Sequence, residues 1–179
     1  MTIPTLATER LILRGWTEAD AALLHRIYCQ EGVLRYFPQP EPPPRERIDK
    51  LIQSQLDRWE KDGYGLWAVD LKESGTLIGW CGLQFLQETD EIEVGYLLGR
   101  PYWGNGYATE AALASLHFAF ETVGLRSVIA IVHPENIASQ RVIEKLGMDF
   151  VDENHYFGMD CYRYVKFAGT SRRSNHKGV

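Results

Sequence analysis

The chain has 179 residues, 45% of them apolar and 12% aromatic, with 19 Lys and Arg against 24 Asp and Glu for a net charge of −5. That is enough apolar material for one domain with a core and argues against a disordered chain. The acidic balance weighs against nucleic acid as a partner, because neutralising phosphates requires a basic surface. No run of ~18 apolar residues and no charged-then-apolar leader occurs, so a soluble protein with no membrane partner is expected. Cys29, Cys81 and Cys161 are few, odd in number and widely spaced, which reads as reduced thiols in a cytoplasm. No Cys/His cluster has metal-ligand spacing, so no metal is expected.

In chain order, Leu11 to Arg14 reads as a first strand and Thr17 to Tyr28 as a helix. Pro38, Pro40, Pro42, Pro43 and Pro44 break regular structure. A second helix is expected from Arg45 to Lys61, with Ile48, Leu51, Ile52, Leu56 and Trp59 on one side, ended by Gly63-Tyr64-Gly65. Three strands follow, Leu66 to Leu71, Thr76 to Leu86 and Glu91 to Leu98, joined by short polar turns.

The third of these strands runs through Arg100-Pro101-Tyr102-Trp103-Gly104-Asn105-Gly106 into a helix whose Ala108, Ala111, Ala112, Leu116, Ala119, Phe120 and Val123 form an apolar stripe. Gly104 and Gly106 permit positive φ and leave the main chain open, so the turn can aim N–H groups at an anion over a helix N-terminus. A tight turn with no ligand would need the same glycines; position between strand and helix favours the cradle. Gly-Lys-Ser/Thr is missing, which excludes a nucleotide-hydrolysing P-loop. Thr109 stands where a dinucleotide fingerprint needs its third glycine, and the next strand, Val128 to Val132, does not end in a carboxylate.

After that strand come His133, Pro134, Glu135 and Asn136, then a short helix stopped by Gly147 as a left-handed C-cap. On local evidence Asn136 caps the helix and Ser139 sits in its first turn. A strand pair near Phe150 to Tyr156 and Cys161 to Phe167, turning at Phe157-Gly158, completes the domain. Residues 168–179 read as a flexible basic tail. The order gives a mixed α/β sheet with helices on both faces.

Four segments, in this order and spacing, resemble the GNAT superfamily of acetyl-CoA-dependent N-acetyltransferases, and within it the branch of ribosomal-protein N-terminal acetyltransferases. They are Thr8 to Arg14; Glu93-Val94-Gly95-Tyr96; Tyr102 to Ala111; and Asn136 to Ser139 with Glu144-Lys145-Leu146-Gly147. The resemblance covers residues 6–167 and implies one GNAT-type domain on a twisted mixed sheet of six to seven strands. The chain departs from it at Pro101, where the superfamily often has Gln or Arg; a cradle of main-chain N–H groups tolerates that loss.

The resemblance implies transfer of an acetyl group from acetyl-CoA to a primary amine, either a protein N-terminus or a small molecule. Trp103, Gly104, Asn105, Gly106, Tyr107, Ala108 and Thr109 would then hold the cofactor's phosphates. Asn136, with the main chain of Leu97 and Leu98, would hold its pantetheine arm, and Ser139 would lie near its sulfur. Such a transfer needs a neutral amine, a stabilised oxyanion and a protonated thiolate. At pH 7 about a tenth of α-amines but under ~0.1% of lysines are neutral, so a base matters in both cases. Glu93, on the strand leading to the cradle, is the candidate base, the alternative being a solvated strand carboxylate. Ser139 is the candidate acid, the alternative being a first-turn serine. Tyr36, Phe37, Trp59, Tyr64 and Trp67, with His133, are candidates for the acceptor groove; His25 and His117 read as surface or packing residues. A non-catalytic acyl-CoA sensor, or a protein-interaction module, on the same fold is the competing class. Monomer and homodimer are both open.

Overall fold

The structure, a computed structural model, describes residues 2–169. Ten residues of the expected basic tail, 170–179, lie outside the described residues. One sheet of eight strands organises the described residues in the order β1-β2-β3-β4-β5-β6-β8-β7. The strands are β1 (Leu6–Ala7), β2 (Leu11–Arg14), β3 (Leu66–Leu71), β4 (Leu77–Leu86), β5 (Glu91–Leu98), β6 (Ser127–Val132), β7 (Asp149–Tyr156) and β8 (Met159–Phe167). Eight strands replace the six to seven expected, because a two-residue strand, too short to show alternation, pairs with β2 at the edge. Among the pairings, β5 with β6 is parallel and the others are antiparallel.

Four helices, α1 (Asp20–Tyr28), α2 (Arg45–Asp62), α3 (Tyr107–His117) and α4 (Ile137–Lys145), cover the two faces. The α-helix expected from Thr17 starts three residues later, because the opening turn is of the tighter i→i+3 kind, with the Asp20 and Ala21 N–H groups on the Thr17 and Glu18 carbonyls; the Asp20 carboxylate caps it by accepting from the Thr17 N–H and hydroxyl at 2.8 and 2.9 Å. On one face Leu24, Ile27, Ile48 and Ile52 of α1 and α2 pack on Leu66, Ala68, Leu77, Trp80 and Leu97. On the other, Ala111, Ala112 and Leu116 of α3 and Ile143 of α4 pack on Val69, Ile78, Leu83, Val94 and Val132. The stripe beyond His117 continues as a π-helical turn over Phe118–Thr122, closed by Val123 N–H on the Phe118 carbonyl at 3.0 Å.

Trp59 and Trp67, expected in the acceptor groove, are core residues instead. They are 2% and 0% exposed, lie 4.7 Å apart centroid to centroid, and both pack edge-on against Phe118. Gly65 makes this possible, since a Cβ there would stand 2.8 Å from the Trp59 indole. Large aromatics in such a place supply burial, and only the fold shows which face they take.

Candidate active site

Alternation places Glu93, Gly95 and Leu97 of β5 toward the α1/α2 face and Val94, Tyr96 and Leu98 toward the α3/α4 face. Gly99 N–H bonds the Ile78 carbonyl, so the main-chain groups of the odd residues, Leu97 included, point at β4, while those of Tyr96 and Leu98 point toward β6. The parallel ladder to β6 consists of one bridge, Glu93 with Ile129. Its regular continuation would give the Ile131 N–H to the Val94 carbonyl. Instead that N–H reaches Glu93 Oε1 at 3.2 Å. The two strands part here, and a side-chain carboxyl fills the first missing rung.

Glu93 is 9% exposed, and its other oxygen accepts from Gln84 Nε2 at 2.7 Å across the β4–β5 pair. Burial pushes its pKa up from 4.5 to about 7, while the hydrogen bonds from Gln84 and Ile131 work against that rise. A carboxyl in that range can take a proton at neutral pH and return it. A Cβ at the adjacent Gly95 would sit 3.4 Å from Trp80, 3.5 Å from the Gln84 amide and 3.8 Å from Glu93 Oε2. The missing side chain therefore leaves open the space beside the carboxyl.

On the opposite lip, Asn136 caps α4 by accepting the Ser139 N–H at 3.1 Å. Ser139 Oγ lies 2.6 Å from the hydroxyl of Tyr96, which is also 3.3 Å from the Ser139 carbonyl. Burial raises the Tyr96 pKa, so the phenol stays protonated and can donate to Ser139 Oγ, leaving the serine O–H free to donate elsewhere.

The cradle follows. Trp103 is half exposed, and its indole N–H donates to the Leu98 carbonyl at 2.7 Å. Gly104 and Gly106 have φ of 77° and 81°, and Gly106 is the N-cap of α3. A Cβ at Gly104 would meet nothing within 4 Å, so packing does not require that glycine; backbone conformation and an open approach do. Trp103 to Gly106 are exposed and Tyr107, Ala108 and Thr109 half-buried, which leaves the first N–H groups of the helix without intrahelical partners and open to an anion.

Tyr36 stacks 5.3 Å from His133, joining the loop after α1 to the end of β6, and Phe37 packs edge-on to Trp80. His133 Nδ1 accepts the Glu135 N–H at 3.1 Å, so the ring carries its proton on Nε2 and offers a donor rather than a base. His25 Nε2 bonds the Pro43 carbonyl at 3.1 Å, and His117 is exposed. Tyr64 packs at the margin of the α3-side core. Gln84 and Trp80 escaped the sequence reading, and Tyr96 entered it only as part of a motif with no role of its own, because cross-strand pairing and a contact 43 residues distant leave no local signal. Among the described residues no His, Cys, Asp and Glu group could hold a metal, and no helix is long and apolar enough to cross a membrane.

The chain is similar to known proteins. A relative in Bacillus subtilis (strain 168), YkkB, is 33% identical over 153 residues, 81% of this chain and 85% of its own. A crystal structure of an acetyltransferase from Agrobacterium tumefaciens str. C58 superposes with a TM-score of 0.78 at 32% identity, covering 92% of this chain and 95% of that one. Mycobacterium smegmatis RimJ superposes at 0.81 with 19% identity over 94% and 90% of the two chains, a likeness of fold. The family model described as the acetyltransferase (GNAT) domain matches residues 10–149, which shows that the chain belongs to the GNAT acetyltransferase family.

Proposed function

We propose that the protein transfers an acetyl group from acetyl-CoA to a primary amine within a ternary complex. The observation that carries this reading is Glu93, a buried carboxyl with a pKa of about 7 at the point where β5 and β6 separate. The thioester supplies the acyl group. The chain's residues do the rest.

Gly104, Gly106 and the first turn of α3 offer main-chain N–H groups to the diphosphate, while the Asn136 amide and the β6-facing main chain of Leu98 line the arm. Glu93 takes the proton that the amine must lose before it attacks, beside the opening left by Gly95. Ser139 gives a proton to the departing sulfur, with the Tyr96 hydroxyl donating to Ser139 Oγ as the serine loses its own. Tyr36, Phe37 and His133 border the acceptor side, where the His133 Nε2–H can donate to an acceptor carbonyl. The aromatic rim suits a flat small amine as well as a peptide end.

The test is thiol release from acetyl-CoA against a panel of amines, with wild type beside Glu93→Gln. The expected kcat/KM rises with pH through about 7, as Glu93 becomes ionised and able to accept a proton. Glu93→Gln is expected to lose about 10²-fold or more and to flatten that limb. A folded wild type that neither binds acetyl-CoA nor releases thiol with any amine would refute the reading.

A further inference from the structure

The turn opening α3 is held from outside by the segment before β2. Arg10 Nη1 donates to the Asn105 carbonyl at 2.9 Å, and its Nε and Nη2 both reach Glu110 Oε2 at 2.7 Å. The guanidinium carbon lies 4.6 Å over the Tyr107 ring, and Nη2 is 3.5 Å from where a Cβ on Gly106 would stand. Glu110 Oε1 in turn accepts from the Thr8 hydroxyl at 2.6 Å and the Arg10 N–H at 2.7 Å. The Arg10 side chain is 44% exposed, so it stands beside the solvent-facing cradle and not within the core.

Two consequences follow from elementary geometry and charge. In a trans peptide the C=O and the N–H point in opposite directions. Pinning the Asn105 carbonyl on Arg10 therefore fixes the Gly106 N–H away from Arg10, in a turn whose glycines would otherwise let that peptide rotate. Glu110, in the first turn of α3, would place a negative charge beside any bound phosphate. Arg10 cancels it at a loop whose own residues from Arg100 to Glu110 include one other cation, Arg100, which pairs with Glu31 at 3.0 Å.

We propose that Arg10 is the positioning residue that presets the diphosphate cradle, by locking the Asn105–Gly106 peptide and neutralising Glu110. The inference rests on the acetyl-CoA reading of the site and adds to it a residue nearly 100 positions distant in sequence. A latch of this kind acts on the donor alone: it sets how tightly the anionic end of the donor is held, without touching the reacting atoms or the acceptor.

Calorimetric titration with CoA, on wild type, Arg10→Gln and Arg10→Lys, tests it, together with unliganded melting temperatures and the KM for acetyl-CoA. Arg10→Gln is expected to weaken CoA binding at least tenfold and to raise the KM for acetyl-CoA, with kcat and the KM for the amine moving less than twofold. Arg10→Lys, which keeps the charge and loses the fork, is expected to recover part of the affinity. Equal CoA affinity in wild type and Arg10→Gln overturns the inference alone. So does a parallel loss of kcat and of melting temperature in both variants, which would assign Arg10 to the fold. Absence of CoA binding by folded wild type overturns the acetyl-transfer reading beneath it, a separate outcome.

Discussion

At Glu93 a single carboxyl serves the fold and the chemistry with opposite demands. An unfolded glutamate ionises near 4.5, whereas in the native protein burial moves Glu93 to about 7. Between those values the native state keeps a proton that the unfolded chain has lost, so stability falls as pH rises through that window, by up to ~3 kcal/mol. Glutamine at 93 can still accept the Ile131 N–H and pair with a turned Gln84 amide, without a charge. Glu93→Gln is therefore expected to melt higher than wild type at pH 8 and to match it at pH 4, by thermal unfolding at the two pH values. The enzyme reading requires the destabilised form, and the same variant should be the more stable and the less active. For Tyr96 the expectation is narrower. Tyr96→Phe leaves Ser139 without its 2.6 Å partner and should lower kcat about tenfold or more while leaving CoA affinity within twofold, as kinetics and calorimetry together would read.

At the scale of elements, the strand–turn–helix from β5 to α3 was readable because its signals are local. The glycines fall at positive φ, the apolar stripe faces the sheet, and Gly147 ends α4 with φ of 68°. Strand bounds agreed within two residues, with β4 opening at Leu77 rather than Thr76 and β8 at Met159 rather than Cys161. What sequence could not give was the parting of β5 from β6, since both strands read as ordinary apolar runs and only pairing shows one bridge. The same limit misplaced Trp59 and Trp67: alternation tells which residues share a face, not which face is covered. The Gly104→Val/Gly106→Val double variant belongs at this scale. Valine at φ near 80° strains the backbone and screens the N–H groups, yet at Gly104 it meets no neighbour. The variant is expected to lose CoA binding about tenfold or more and to remain folded, by calorimetry and melting.

Over the whole molecule, the α1/α2 layer is tied to the sheet by one charge cluster. Arg14 on β2 donates to both oxygens of Asp20 at 2.8 Å and to Asp70 on β3 at 2.6 and 3.1 Å. Asp20 is 2% and Asp70 8% exposed, so Arg14→Met leaves two buried carboxylates without their cation. The expected cost is about 3–5 kcal/mol by denaturant unfolding at pH 7. Burial opposes ionisation of Asp20, but hydrogen bonds from Arg14 and Thr17 prevail and hold its carboxyl below the ordinary range. The stability that Arg14 contributes is thus present above the usual aspartate range and is lost as pH falls below it, and the deficit of Arg14→Met should shrink in acid. Neither partner was singled out from sequence, because Asp70 is 56 residues from Arg14 and its place inside β3 looks like an ordinary polar interruption.

The one-bridge junction between β5 and β6 makes the sheet two panels: β1 to β5 on one side, β6, β8 and β7 on the other. Beyond Glu93 the panels are coupled through α3 and α4 on one face rather than through their own strands. An extended guest lying in the gap would act as a removable strand, so the molecule's stiffness along that seam becomes a property of its occupancy. Between the strands themselves, that seam is held by one backbone bridge and one carboxyl bond.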